Sequence, residues 1–519
     1  MKSRAFTLIA AMTFFIVLTT PIRVSAQQHK GGRPRYKLID LGTLGGPNSS
    51  ENIQSPILNN EGVVVGFSDT SIPCVIPDCF FFHAFRWRKG ILSDLGTLPD
   101  GHNSVAFGIN ARGQTIGQSE NGLINPLAGG AENRAVLWKK DGQIIDLGTL
   151  GGNDSRAFAI NDEGQIVGGA LNDVPDPFSM PRLGQQARAF LWQKGAMRDL
   201  GTLGGPDSFA ALINDRGQVV GVSYPDTNPT YTCFMGFPLT THPFLWQNGT
   251  MVDLGTLGGT CAGPAKLNNR GQVAGTSNLA GDLTFHPFLW DGETLKDLGT
   301  LGGSAGFGNS LNEAGDVVGA AATTGDEAAH AFFWRNGVMT DLGTINDDPC
   351  SVAHAINARG QVVGATFDCD QTELHGFLWQ PGGPMIDLNA FVPPGSDLIV
   401  TSGETINQRG EIAGTGMLPN GDFHAIVLIP SDDEPDNEGC HGTGQNANAT
   451  SSGPAPLLRG SAAQSSLSPT KIVNALGARF AHRYHIPSRG TPRNSTAIIA
   501  NERQFRSLCL EARITPRGR

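Results

Sequence analysis

The sequence predicts an all-β protein, a β-propeller of eight four-stranded blades closed by an N-terminal outer strand. Three observations predict it. A unit with a period in the 40s, holding several short apolar runs, recurs through the middle of the chain, and such arrays are propellers or their relatives. Three landmarks of that unit each occur eight times. Finally, the first recognisable strand is the fourth strand of a unit with no partners before it, and the last three strands lack a fourth. Joining the two ends completes a blade and removes the open sheet edges that invite aggregation.

Ahead of the repeats, Lys2 and Arg4 precede an apolar run from Ala5 to about Val17, and Val24-Ser25-Ala26 offers small residues for cleavage. This pattern predicts a secretory signal peptide over residues 1–26, then a linker over 27–35. No later stretch approaches the roughly 20 apolar residues of a membrane-spanning helix. Secretion to the extracellular space or the periplasm is therefore expected.

The repeat body spans residues 36–430. Its first landmark, Asp-Leu-Gly-Thr-Leu, begins at Asp40, Asp94, Asp146, Asp199, Asp253 and Asp297, and weakens at Asp341 and Asp387. The second, Asn-x-x-Gly followed by an apolar run, begins at Asn59, Asn110, Asn161, Asn214, Asn268, Asn312, Asn357 and Asn407. An asparagine that bonds its own backbone, followed by a left-handed glycine, makes a tight hairpin turn. The run after it, such as Gln361-Val-Val-Gly364, is β-branched and reads as a strand, its glycine fitting a bulge or a close backbone approach. The third landmark, His-Ala-Phe-Leu-Trp or a variant, holds all seven tryptophans. Its apolar groups point to both faces, as a blade between two neighbours requires. These runs give four strands per unit: a before the Asn turn, b after it, c ending at Trp, and d entering Asp-Leu-Gly.

Interval lengths reveal one elaborated face. From the glycine ending strand b to the first residue of strand c the step is 17, 17, 20 and 21 in the first four repeats, then 11, 11, 11 and 10. The long b–c loops, residues 67–82, 118–133, 169–187 and 222–241, lie on one side of a propeller over half of it. Inserted loops of this kind commonly form a binding face. They carry the candidate binding residues Glu120, Asp173, Asp176, Tyr224, Tyr231 and Phe234, with Arg182, Asp226 and Phe237 beside them. Aromatic rings there suit a sugar or a peptide side chain, or pack the loop onto the disc.

An exported chain is oxidised, so disulfides are expected. Connections b–c and d–a emerge together, which pairs Cys74 with Cys79, Cys233 with Cys261 and Cys350 with Cys369, and leaves Cys440 with Cys509.

Beyond the repeats, residues 431–468 read as a low-complexity linker. Residues 469–519 form a basic tail, where Ile472, Leu476, Phe480 and Tyr484 stand at helical spacing and a second amphipathic stretch runs from Ala497 to Ala512. Its basic side suits an anionic envelope surface. Residues 27–430 carry 23 bases against 40 acids, a net charge of −17. So acidic a body is a poor nucleic-acid binder.

Strand c begins with His83, His242, His286, His330, His375 and His424, and with Arg134 and Arg188 in two repeats. Equivalent positions around a ring do not converge on one ion, so no metal or other cofactor is expected. A hydrogen bond within each blade among His, the Asp of Asp-Leu-Gly and a hydroxyl is expected instead, with each Asp capping its own turn. No serine-nucleophile elbow, zinc helix or phosphate loop is present. Two loop carboxylates over the disc would be needed for an alternative reading as a polysaccharide hydrolase or lyase.

With His83-Ala-Phe85, His330-Ala-Phe332, the Asn-x-x-Gly turns and Asp-Leu-Gly-Thr-Leu, the chain from Tyr36 to Leu428 resembles the HAF repeat family of extracellular bacterial proteins. The resemblance implies an exported repeat protein and carries over no catalytic residues. Arg134, Arg188, Asn389 and the missing Trp in the last strand c depart from the pattern. The expected function is a binding or scaffold module for an extracellular glycan or protein.

Overall fold

The computed structural model describes residues 35–431, except 51–56, 75–78, 128, 177–178, 182, 227–239 and 369–373. Eight four-stranded antiparallel sheets follow one another around a ring in which the last blade packs on the first, giving an eight-bladed β-propeller. Blade 1 runs through Gly45–Ser50, Val64–Pro73, Phe80–Arg88 and Ile91–Asp94, as strands a to d from axis to rim. Blade 8 takes its strands a to c from Ile399–Ile406, Ile412–Met417 and Phe423–Pro430. Its outer strand is Tyr36–Asp40, with Leu38 opposite Leu428 and Asp40 opposite Ile426. The orphan strand thus closes the circle as its place in the sequence predicts.

Apolar residues on both faces of each blade fill the gaps between blades. Ala331 and Phe333 of blade 6 pack with Val362, Phe377 and Trp379 of blade 7 in one core cluster. At the closure, Ala413 and Val427 of blade 8 pack with Val64, Phe85 and Trp87 of blade 1. Each fully buried valine or phenylalanine is worth about 1.5–3 kcal/mol relative to exposure.

The glycine of each Val-Val-Gly run lies inside strand b, which continues beyond it, and is both bulge partner and close approach. Gly221 pairs with Ala210 where strand a bulges between Ala210 and Leu212, and a Cβ on Gly221 would stand 1.8 Å from the Phe209 carbonyl oxygen.

The Asn turns surround the axis on the face opposite the long loops. Asn110 accepts the Gln114 N–H, and Asn214 accepts those of Arg216 and Gln218, so each holds its own turn. Each side-chain amide also donates to the backbone carbonyl of the corresponding Asn in the next blade, at 3.0–3.3 Å, through all eight blades. Sequence reading recovered the turn and missed the ring.

Candidate functional site

The face bearing the b–c and d–a connections is built from repeated polar clamps at its rim and raised hairpins above it. At the rim, His83, His242, His286, His330 and His424 each place Nδ1 2.8–2.9 Å from the aspartate of the same blade's Asp-Leu-Gly. Arg188 takes the place of His in blade 3, with Nε 3.2 Å from Asp199. Every one of these aspartates also accepts the N–H two residues on, from Gly42 at Asp40 to Asn389 at Asp387. Burial opposes ionisation of Asp40, but hydrogen bonds from His424 and Gly42 outweigh it and hold the carboxyl below its ordinary value. The same bond raises the pKa of His424 against the effect of burial.

Two details correct the expected network. The hydroxyl is not bonded to the histidine; it belongs to the next blade. Ser104 accepts the Ala84 N–H at 2.9 Å and donates to the Gly96 carbonyl, and Ser49 links Ala425 to Gly42 in the same way. His375 reaches Asp348 at 3.0 Å rather than Asp387. Strand d of blade 7 is only Ile386–Asp387, and Asp387 caps the 3-10 turn Leu388–Phe391 that replaces a standard connection. Arg134 lies 3.7 Å from Glu132.

The long loops of blades 1 to 3 are extended hairpins. Strand b lengthens to Val64–Pro73, Thr115–Ile124 and Ile166–Pro175 in blades 1 to 3, against Val273–Leu279 or Val362–Phe367 later. A different device ties down each tip. In blade 1 it is the disulfide Cys74–Cys79, with the Cys74 N–H on the Cys79 carbonyl at 3.0 Å. In blade 2, Asn125 at the tip donates to Asp154 of the neighbouring blade, which also accepts the Asn133 N–H at 2.9 Å. In blade 3, Asp207 of the next blade accepts the N–H groups of Met180 and Ala187 at 2.5 and 2.7 Å. Asp207 is fully buried. Burial and the nearby Asp176 push its pKa up to about 7 despite those N–H donors and Arg188.

Three expected binding residues are corrected by their burial. Glu120 accepts the His102 and Asn103 N–H groups and the Asn103 amide, so it anchors a d–a connection. Asp176 is buried where the tip loop of the hairpin begins, its N–H on the Gly184 carbonyl at 3.0 Å. Tyr224 is buried in a small apolar cluster with Met180 and Val222, against Phe209, because an aromatic after strand b has an apolar shelf to cover. Asp173 is exposed, as is Asp226. Tyr231, Phe234, Phe237 and Arg182 lie outside the described residues. Cys261 and Cys350 are disulfide-bonded, while Cys233, Cys369, Cys440 and Cys509 also lie outside the described residues.

The clamp residues Asn48, Asn103, Asp154 and Asp207 were missed. Their signal was present: an Asn/Asp-Ser pair follows Asp-Leu-Gly at nearly constant distance, at Asn48-Ser49, Asn103-Ser104, Asp154-Ser155 and Asp207-Ser208.

What the hairpin tips offer is apolar. Ile72, Leu123, Ile124, Leu127 and Val174 on blades 1 to 3 are 43–63% exposed, and Leu283 on the b–c turn of blade 5 is 84% exposed. Their setting is acidic: the b–c and d–a connections of all eight blades contain one arginine, Arg182, and no lysine. The bases gather on the opposite side, with Arg112, Arg216, Arg270, Arg359 and Arg409 on Asn turns. Among the described residues no three His, Cys, Asp or Glu side chains are grouped to hold a metal, and no helix is long and apolar enough to cross a membrane.

Among solved structures, the chain is similar to the β-propeller domain of the trilobed protease from Pyrococcus furiosus, which has an open velcro topology. They share 8% identity over 68% of this chain and 99% of that one, with a TM-score of 0.40. It is similar to dipeptidyl peptidase 4 of Porphyromonas gingivalis at 10% identity, over 64% and 52% of the two chains, with a TM-score of 0.38. A polysaccharide lyase acting as an ulvan lyase matches at 10% identity over 76% and 96%, with a TM-score of 0.34. No family model and no curated protein matches the sequence.

Proposed function

We propose that the protein is an exported propeller of the HAF-repeat type that acts as a binding or scaffold module, through the face carrying the long b–c hairpins. The observation that carries this reading is that three neighbouring hairpins hold apolar side chains in the open while each tip is fixed by its own covalent or hydrogen-bonded tie. Fixed apolar posts lower the ordering cost of association, which is what a recognition surface requires. A protein ligand fits these apolar tips and their acidic surroundings better than an anionic glycan does. The hydrolase or lyase alternative is less favoured, because Glu120, Asp154 and Asp207 are buried and hold backbone N–H groups. Export is supported by the N-terminal segment and by a disulfide at a surface hairpin.

The test is a screen of the exported chain against peptide and glycan arrays, repeated with Leu123→Asp/Leu127→Asp. Binding that this variant loses supports the reading. Polysaccharide cleavage that disappears with Asp173→Asn would overturn it. Sequencing of the mature N-terminus is expected to begin at Gln27.

A further inference from the structure

We propose that the acidic, apolar-tipped face is a docking surface for the chain's own basic segment, residues 469–519. The inference builds on the binding face proposed above and names an occupant for it. Three observations converge. The first is charge. Excluding lysine from every b–c and d–a connection leaves the Asp-Leu-Gly aspartates and the loop acids on one side of the disc, where their field attracts a polycation. Residues 469–519 hold ten bases against two acids, nine of the ten being arginine.

The second is apolar pattern. Ile72, Leu123, Ile124, Leu127 and Val174 are exposed on three successive hairpins, and the second and third of these touch: a Cβ on Gly184 of blade 3 would lie 3.4 Å from Leu127 of blade 2. The segment carries Ile472, Leu476, Phe480 and Tyr484 at helical spacing, interleaved with Lys471, Arg479 and Arg483. A helix with an apolar stripe flanked by bases matches apolar tips set among acids, in the manner of helix-in-groove recognition.

The third is reach. The chain leaves the disc at Pro430, which sits 3.7 Å from where a Cβ on Gly410 of an Asn turn would lie, so it emerges on the face opposite the hairpins. Residues 431–468 then intervene. A coil of that many residues would span roughly 34 Å root-mean-square, against about 23 Å for a seven-residue strand crossing the disc. The segment can therefore pass around the rim, and tethering gives it a high effective concentration at the face. A free polycation or an anionic envelope must compete with that.

Hydrogen exchange on the full chain tests the contact. At roughly 20 mM salt, where charges are little screened, amides of residues 469–487 should exchange at least about tenfold more slowly than at 0.5 M. Leu123→Asp/Leu127→Asp and, separately, Asp173→Lys should abolish that protection while the strand b amides stay protected, which shows that the disc is folded. Protection should not depend on protein concentration. Rapid exchange of 469–487 at both salts would overturn the proposal. So would protection that survives both variants, or protection that rises with concentration and so places the segment on a second copy. None of these failures would touch the binding reading, because the array screen reads an added ligand.

Discussion

The side-chain amide of Asn407 in the last blade donates to the backbone carbonyl of Asn59 in the first at 3.0 Å. The same bond joins Asn214 to Asn268 at 3.0 Å in the middle of the chain. The seam where the two ends of the chain meet is therefore bonded at the axis like any internal blade junction. Asn407→Ala and Asn214→Ala each remove this inter-blade donor and the acceptor that holds the turn. Each should cost about 2–3 kcal/mol, the range for leaving buried backbone groups unpaired. Urea unfolding of the two variants is expected to give equal losses. A markedly smaller loss for Asn407→Ala would mean that the seam is already loose.

How much of this was legible in sequence depends on whether a feature repeats. Asp40 and Asn59 recur eight times, so strand order, blade count and the closing strand could all be read from spacing. The His424–Asp40 pair was legible for the same reason. The bonds between blades were not, because Asn59 and Asn110 are 51 residues apart and only closure of the ring brings them together. The site was hardest. Glu120, Asp176 and Tyr224 are single-copy residues on inserted loops, and single-copy polar residues read as functional. Their burial follows from clamps between neighbouring blades, which no local pattern encodes.

The glycines of the repeat divide into two kinds with different expected costs. A Cβ on Gly221 would strike the Phe209 carbonyl at 1.8 Å and the Ala210 Cα at 2.8 Å, which is backbone that cannot swing away. Gly281 has φ +91° and nothing within 4 Å. Gly221→Ala should lose more than about 3 kcal/mol by forcing the bulge apart. Gly281→Ala should lose only about 1 kcal/mol, from conformational strain. Chemical denaturation of both, side by side, checks the ratio.

Stability should fall as pH rises from about 4 to above 7, because Asp207, His424, Asp69 and Asp154 all have raised folded pKa values. Asp207 has its folded pKa raised to about 7, so its stabilisation is complete below its unfolded value near 4 and is lost as pH climbs through 7. His424 is also raised, so its contribution is full below about 6.5 and fades as pH passes its folded value. Asp40, Asp94, Asp253, Asp297 and Asp341 are lowered and act oppositely, withdrawing stability only in stronger acid. Blades 1 and 2 use Asn48 and Asn103 at the position of Asp207, each accepting an N–H from strand c of the preceding blade at 3.1 Å. Asp207→Asn should therefore keep the Ala187 bond and flatten the decline between pH 4 and 7. Thermal unfolding at several pH values would measure it, and an unchanged slope would remove Asp207 from the account.

The disulfide Cys74–Cys79 closes a short loop at a tip that stands clear of the disc, so its removal should separate local from global order. Cross-linking a loop of this length is worth about 2 kcal/mol in the chain-entropy picture. That stabilisation falls on the hairpin, because the two cysteines border a turn beyond strands b and c. Those strands remain paired from Val64–Trp87 to Asp69–Phe82 without it. Cys74→Ser/Cys79→Ser should thus speed amide exchange around Ile72 by about tenfold or more while lowering the global unfolding midpoint only slightly. Binding through the face should weaken with it, because the post in blade 1 would no longer be held in place before a ligand arrives. A full 2 kcal/mol drop in global stability would show instead that the tip and the ring unfold as one unit.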